Sequence, residues 1–203
     1  MKKIKICFFC FITAICFSQK SAKPQYIFDE NNQLLTSDQY KTKIEDKNME
    51  LFVYEIDTAF IARFNKIIDI GILSSSEMSR IKNELQKISK KEIDSSKTII
   101  INFFYEDNPE PNDKSCIDNY FNDEKYKKYL NKNKDIIQFF ITEKDYNYKD
   151  KNVLQDSNDV IRSILFKYYS FCGNYIIIKP NRNFFRKIGE YRQDEIPKNV
   201  LAF

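Results

Sequence analysis

The sequence predicts an α/β protein whose C-terminal half folds in the order β-α-β-α-β-β-α behind an N-terminal α+β extension. Two observations predict this class. Residues 98–105 form a continuous apolar run, typical of a central strand covered on both faces. The apolar runs after it alternate with segments of helical periodicity. With 203 residues, 42% of them hydrophobic, the chain can bury a core for one or two domains.

The N-terminus has the three-part pattern of a secretory signal peptide. A lysine-rich start precedes an apolar stretch over residues 6–17, and polar residues begin at Ser18. A helix that crosses a bilayer needs about 20 apolar residues, so we prefer cleavage near Ser18 to an uncleaved membrane anchor. Residues 1–18 are therefore the predicted signal peptide. The mature protein is predicted to be exported, either periplasmic or extracellular, with no transmembrane segment.

Composition excludes several functions. The formal net charge of +4 falls to about +1 once Lys2, Lys3 and Lys5 leave with the signal peptide, so nucleic acid is not a predicted partner. The chain has no histidine, which removes the usual general base and the commonest zinc and haem ligand. An excess of Lys, Asn and Ile with little Gly indicates an AT-rich bacterial genome. No cofactor is predicted.

Residues 19–96 are the predicted extension, mostly helical. Its first elements are a strand over residues 26–28, a helix over 36–46 and a strand over 49–56. The spacing of Thr36 and Gln39 is that of a capping box, which supports the helix. The alternation of β-rich residues supports the second strand.

Two helices are predicted to complete the extension. The first follows Asp57 or Thr58 and ends before Gly71 as a C′ glycine. Its apolar face would hold Phe60, Ile61, Phe64, Ile67 and Ile68. The second follows a capping box of Ser74 and Glu77, with apolar residues at helical spacing from Met78 to Ile88. The polar residues 90–97 then predict a boundary.

Residues 97–203 are the predicted second domain. Its elements are a strand over 98–105, a loop over 106–115, a helix over 116–132, a strand over 136–141, a helix after Ser157, strands over 175–178 and 184–188, and a helix over 193–201. The first three strands alternate with helices, which predicts parallel pairing and right-handed crossovers. The last two strands should form an antiparallel hairpin, and helices should cover both faces of the sheet.

Two segments of this half resemble the thioredoxin fold of secreted bacterial proteins. The run TIIINFFY at residues 98–105 is similar to the first core strand of that family. The run YIIIKPNRNFFRKIGEY at 175–191 is similar to its closing hairpin, which ends at a glycine. The resemblance covers about half of the chain. It departs from the family because no Cys-x-x-Cys follows the first strand and no proline precedes the third, which counts against oxidoreductase activity more than against the fold.

The predicted site residues are Cys116 and Cys172, the only cysteines after the signal peptide. An oxidising compartment would permit them to pair. The resemblance implies that Cys116 lies near the start of the first helix and Cys172 just before the third strand, so that the sulfurs are neighbours. A structural disulfide, two separate buried thiols and a reversible redox pair remain open. In the redox pair, the helix N-terminus would lower the pKa of Cys116.

Acidic residues offer weaker candidates. Glu106, Asp107, Glu110 and Asp113 could gather oxygens around calcium, but they lack the EF-hand spacing and its central glycine, and no metal site is predicted. Asp156 and Asp159 are expected to serve the N-terminus of the following helix.

The sequence thus predicts an exported bacterial protein that acts as a non-enzymatic binding or accessory module on a thioredoxin-like scaffold. The alternative is an atypical thiol-disulfide protein that uses Cys116 and Cys172. A hydrolase with paired carboxylates has the least support, since no acidic pair stands out. The residues do not name a ligand or a partner.

Overall fold

The computed structural model describes residues 23–106, 115–170 and 172–203. These residues form two β-sheets and six helices, which confirms the mixed α/β class. The predicted signal peptide and most of the predicted loop over 106–115 lie outside the described residues. Within the described residues, none of the helices combines the length and the apolar character needed to cross a bilayer.

The strands are β1 (Gln25–Phe28), β2 (Met49–Ile56), β3 (Ala59–Lys66), β4 (Ile68–Ile72), β5 (Thr98–Phe104), β6 (Ile136–Thr142), β7 (Val153–Gln155), β8 (Asn174–Ile178) and β9 (Asn183–Ile188). The helices are α1 (Ser37–Ile44), α2 (Ser75–Ser89), α3 (Cys116–Phe121), α4 (Glu124–Lys132), α5 (Val160–Leu165) and α6 (Glu195–Ala202). The small sheet has the order β1-β3-β2, and the large sheet has the order β4-β9-β8-β5-β6-β7.

The central strand of the large sheet is β5, and every one of its residues is buried. Successive side chains point to opposite faces of a strand. Ile101 therefore joins a core with α2 and α5, and Ile100 joins a second core with α3, α4 and α6. The prediction that helices cover both faces of this sheet is confirmed. The pairing of β5 with β6 is parallel, as expected.

The third predicted strand is antiparallel to the first, so the expected parallel pairing was wrong there. β8 runs against β5 with Ile176 opposite Ile101. The missed strand β7 runs parallel to β6, so it ends at the same end of the sheet as β5. β8 starts at this end of the sheet, because Asn174 lies opposite Phe103 near the end of β5.

The helix predicted after Asp57 or Thr58 was also wrong, because these residues form β3 and β4. β2 and β3 pair along their whole length, from Met49 opposite Lys66 to Ile56 opposite Ala59, and the two residues between them make a tight turn. This pairing overrides an apolar spacing that also fits a helix. Gly71 lies within β4, where a Cβ atom would come within 2.8 Å of the ring of Phe184.

The single helix predicted over residues 116–132 is two helices. The helix is interrupted at Asn122, and the side chain of Asp123 accepts a hydrogen bond of 2.9 Å from the backbone N–H of Tyr126. Asp123 is thus the N-cap of α4. Both predicted capping boxes are present, with Thr36 and Ser74 as the N-caps of α1 and α2.

The segment before residue 97 contributes to both sheets. β4 pairs with β9 at one edge of the large sheet, and α2 packs on that sheet. Asn48 connects β4 to the start of β2, because its side chain accepts from the N–H of Ile68 at 2.9 Å and donates to the carbonyl oxygen of Ile68 at 3.0 Å.

Candidate functional site

The structure joins the two predicted site residues, Cys116 and Cys172, in a disulfide with their Cα atoms 5.3 Å apart. Cys116 is the first residue of α3, and Cys172 lies two residues before β8. Their side chains belong to the core below α3 and are only 6% and 9% exposed. A thiolate must reach a sulfur in order to exchange with it, so this burial restricts exchange.

Three tyrosines belong to the same core as the disulfide. The hydroxyl of Tyr120 donates to the carbonyl oxygen of Cys172 at 3.2 Å, and its ring stacks on Tyr191 with centroids 4.3 Å apart. Tyr175 meets Tyr191 edge to face at 4.7 Å. Gly173 has a φ of +98°, and a Cβ there would lie 3.1 Å from the ring of Tyr120, so both its conformation and its surroundings require glycine.

A buried polar network extends from this cluster across the large sheet. Asn102, at the centre of β5, donates through its amide to the hydroxyl of Tyr191. Gln138 donates to the side-chain oxygen of Asn102 at 2.5 Å, and Tyr126 donates to Gln138 at 2.5 Å. Burial raises the pKa of both Tyr126 and Tyr191. The network satisfies the polar groups it contains and is therefore a structural feature.

The acidic candidates have different outcomes. The carboxylate of Asp156 accepts from the N–H groups of Val160 and Arg162 at 3.0 and 2.8 Å, and Asp159 pairs with the Arg162 side chain at 2.5 Å. Both residues serve the start of α5, as predicted. Asp107, Glu110 and Asp113 lie outside the described residues. Among the described residues, no group of three or more acidic or cysteine side chains is placed to hold a metal ion.

A second site, absent from the sequence predictions, lies between the small sheet and residues 167–169, which follow α5. It is a cavity of about 340 Å³, which we call the inter-sheet groove. Its lining residues are Phe52, Val53, Tyr54, Arg63, Asn65, Lys167, Tyr168 and Tyr169. A smaller cavity of about 170 Å³ adjoins it and shares Asn65 and Tyr168.

The floor of the groove is one face of the small sheet. Arg63 and Asn65 are two positions apart on β3, so their side chains point to the same face. Phe52 of β2 lies directly opposite Arg63 in the strand register. The guanidinium carbon of Arg63 lies 5.6 Å from the centroid of the Phe28 ring, which belongs to β1. All three strands of the small sheet thus place side chains around Arg63.

Tyr168 forms the wall of the groove that faces the small sheet, and two hydrogen bonds hold it in position. Its hydroxyl accepts a hydrogen bond of 3.0 Å from the side-chain amide of Asn32, which follows β1. Its backbone carbonyl oxygen accepts a hydrogen bond of 2.7 Å from the hydroxyl of Tyr105, which follows β5. The groove is therefore preformed, as ligand sites usually are.

Two residues of this groove have buried polar atoms without a hydrogen-bond partner in the part of the chain that the structure describes. Asn65 is 3% exposed, and neither its side-chain oxygen nor its nitrogen has a hydrogen-bond partner among the described residues. The same holds for the buried Nη1 of Arg63. Most buried side-chain polar atoms in folded proteins do have partners, so each of these exceptions calls for a partner such as a water molecule or a ligand. A strand pattern would have shown both residues on one face, but this segment was interpreted as a helix.

The lining of the inter-sheet groove is positively charged. Arg63 and Lys167 are its charged residues among those described, and no carboxylate lines it. The nearest acid along the strand pairing is Glu50, which lies opposite Asn65. The pKa of Glu50 is raised, mainly by partial burial and to a smaller extent by repulsion from Glu190. The raised pKa reduces the negative charge of Glu50 at acidic pH.

Comparison with known proteins does not assign this chain to a family. A comparison of the chain with protein-family models, with curated proteins and with solved structures finds no match.

Proposed function

We propose that this chain is an exported bacterial binding module, not an enzyme, and that the inter-sheet groove is its ligand site. The observation that carries the proposal is Asn65, which lines the groove and whose buried amide has no hydrogen-bond partner among the described residues. An unsatisfied buried amide costs about 1–3 kcal/mol of stability. Such a cost is commonly retained at functional positions, where a ligand supplies the missing hydrogen bonds.

Export and a thioredoxin-like scaffold complete the proposal. Export is supported by the signal pattern of residues 1–18 and by the disulfide, since disulfides persist in oxidising compartments. The scaffold is supported by the buried strand β5, by the cysteine at the first turn of α3, and by the hairpin of β8 and β9 that ends at Gly189.

A non-enzymatic role is supported by the surroundings of the disulfide. Its cysteines are buried in the same core as Tyr120 and Tyr191, and the chain has no histidine to act as a general base. We therefore assign Cys116 and Cys172 a structural role in this proposal.

The test compares Asn65 of β3 with Asn48, which directly precedes β2. Asn65→Leu removes a buried amide for which the described residues supply no hydrogen-bond partner, so we expect the free energy of unfolding to rise by about 1 kcal/mol. Asn48→Leu removes an amide that bonds both backbone groups of Ile68, so we expect a loss of about 1–2 kcal/mol. Urea denaturation measures both changes.

A ligand screen by NMR completes the test. Fragments that bind should shift the backbone amide resonances of Phe52, Arg63 and Tyr168, and Asn65→Leu should weaken this binding. The proposal fails if no fragment shifts these resonances and Asn65→Leu destabilises the protein as Asn48→Leu does, because Asn65 would then be a structural residue.

A second candidate function is thiol-disulfide exchange through Cys116 and Cys172. It is favoured by one observation: Cys172 lines a surface groove of about 410 Å³ together with Glu190, Arg192 and Asp194. Thiol counting on the folded protein across a glutathione redox titration separates the two functions. Reversible reduction of the native protein supports exchange, and a pair that resists glutathione supports a structural disulfide.

A further inference from the structure

We infer that the inter-sheet groove recognises the carboxylate, the adjacent amide and the apolar side chain of an N-acylated amino acid, either free or as the C-terminal residue of a peptide. This inference rests on the proposed function, since it names the ligand class of the same groove. Three features of the described residues carry it: a fixed guanidinium group, a neighbouring amide, and an aromatic lining of suitable size.

The first feature is the orientation of Arg63. Its guanidinium carbon lies 4.4 Å from the centroid of the Tyr168 ring and 5.6 Å from the centroid of the Phe28 ring, so two aromatic rings adjoin the guanidinium, while its N–H donors point along the guanidinium plane. Nη1 is buried without an acceptor, and no ion pair of Arg63 occurs within the described part of the chain. A planar fork of N–H donors matches a carboxylate, which can accept two parallel hydrogen bonds.

The second feature is the amide of Asn65. Asn65 lies two residues from Arg63 on the same face of β3, so the Cα atoms of the two residues are about 7 Å apart along the strand. Its nitrogen can donate to a ligand oxygen, and its oxygen can accept from a ligand N–H. A ligand that satisfies both residues therefore has a carboxylate and an N–H close to it. The α-carboxylate and α-amide of an N-acylated amino acid have this arrangement.

The third feature is the lining. Phe52 and Tyr54 of β2 and the two tyrosines after α5 surround the polar groups. An apolar ligand side chain would bury its surface against these rings. The volume of about 340 Å³ is near the lower end of the range of about 300–1,000 Å³ for ligand cavities. It accommodates one residue with an aromatic or large apolar side chain. Lys167 at the rim would attract the carboxylate.

The experiment uses three matched small probes on the full mature chain. N-acetyl-L-phenylalanine carries all three recognised groups. Its amide, N-acetyl-L-phenylalaninamide, lacks only the negative charge, and N-acetylglycine lacks only the apolar side chain. We expect N-acetyl-L-phenylalanine to shift the resonances of Phe52, Arg63 and Tyr168 and to bind at least about tenfold more tightly than either control.

Variants locate the binding and control for folding. Arg63→Gln should weaken binding of N-acetyl-L-phenylalanine by about tenfold or more. Arg63→Lys, which retains the charge but not the fork, should also weaken it. Arg80→Gln, at an exposed position of α2 outside the groove, should leave binding unchanged. The amide spectrum of each variant shows whether it is folded, and Lys167→Gln offers a surface substitution in the same groove with a smaller expected loss.

The outcomes separate this inference from the proposed function. Equal binding of the acid and its amide, no binding of the acid up to about 10 mM, or full binding by folded Arg63→Gln would each overturn the inference. If a neutral fragment then occupies the groove, the proposed function stands and only the ligand class is wrong. A tetrapeptide that ends in phenylalanine distinguishes the two sources. Tighter binding of this peptide than of the free acid identifies a peptide C-terminus, and weaker binding identifies a free N-acylated amino acid.

Discussion

The guanidinium carbon of Arg63 lies 4.4 Å from the centroid of the Tyr168 ring. This contact connects β3 of the small sheet with the segment that follows α5 of the large sheet. Tyr168 also accepts a hydrogen bond from Asn32, on the small-sheet side. The two residues therefore hold the floor and the wall of the inter-sheet groove together, so that one interaction links the shape of the site to the stability of the protein.

The contact between Arg63 and Tyr168 predicts coupled effects of mutation. Tyr168→Leu should lower the free energy of unfolding by about 1–2 kcal/mol, since cation–π contacts of partly buried groups contribute about that much. Tyr168→Phe retains the ring and loses only the bond from Asn32, which corresponds to about 0.5–1.5 kcal/mol. A double-mutant cycle of Tyr168→Leu with Arg63→Gln in urea measures the coupling. Strictly additive losses would show that the contact contributes no stability.

Removal of the disulfide should destabilise the protein without changing its fold. The variant with Cys116→Ala and Cys172→Ala should lose about 2–4 kcal/mol, mainly because the unfolded chain regains conformational freedom. The cysteines are 6% and 9% exposed, so reductant should reach the wild-type disulfide only when the protein opens. Thiol release in dithiothreitol, followed with and without urea, checks this. Rapid release from the native protein would contradict the buried position of the bond.

The hydrogen bond between Asn102 and Tyr191 predicts a large loss of stability when Asn102 is replaced by an apolar residue of similar volume. Asn102→Leu would leave the Tyr191 hydroxyl buried without its bond from Asn102, and the Gln138 amide would keep only the carbonyl oxygen of Phe139 as acceptor, at a cost of about 1–3 kcal/mol. Tyr191→Phe removes that hydroxyl. The double variant should therefore lose less stability than the sum of the two single variants, as measured in urea. A fully additive result would indicate that the two side chains do not depend on each other.

The buried tyrosines predict a loss of stability in alkali. Burial raises the pKa of Tyr175 from 10.0 to about 12. A pKa raised by folding contributes stability that is complete below pH 10 and is lost as the pH rises through about 12. Tyr175→Phe should therefore reduce the slope of stability against pH in this range, although loss of the bond from Asn199 lowers stability at neutral pH. Denaturation at several pH values measures the slope, and an unchanged slope would contradict this assignment.

Elements with a local physical cause were predictable from sequence. The run that forms β5 is apolar throughout because both faces of the strand are buried. The capping boxes at Thr36 and Ser74 satisfy backbone donors within four residues of chain. The hairpin of β8 and β9 follows from the turn residues between its strands. Each of these signals depends on neighbours in the sequence and needs no knowledge of the rest of the fold.

Elements that depend on distant partners were not predictable. The apolar residues from Phe60 to Ile68 fit a helical spacing, and pairing with β2 and β9 decides that they form strands. The three residues of β7 carry little signal of their own. The proximity of Cys116 and Cys172 was implied by a family resemblance, not by their separation in the sequence. The inter-sheet groove was missed because Arg63 and Asn65 occur in the segment interpreted as a helix.

The sequence by itself determined the α/β class, the central buried strand and the caps of α1 and α2. It named Cys116 and Cys172 as candidates for a pair, and export through the pattern of residues 1–18 stays a prediction. Only the tertiary structure decided the direction of β8, the division into two sheets and the meeting of Arg63 with Tyr168. The physical reason is range: capping, turn and burial patterns act over a few residues, whereas sheet pairing and the groove depend on contacts between residues about a hundred positions apart.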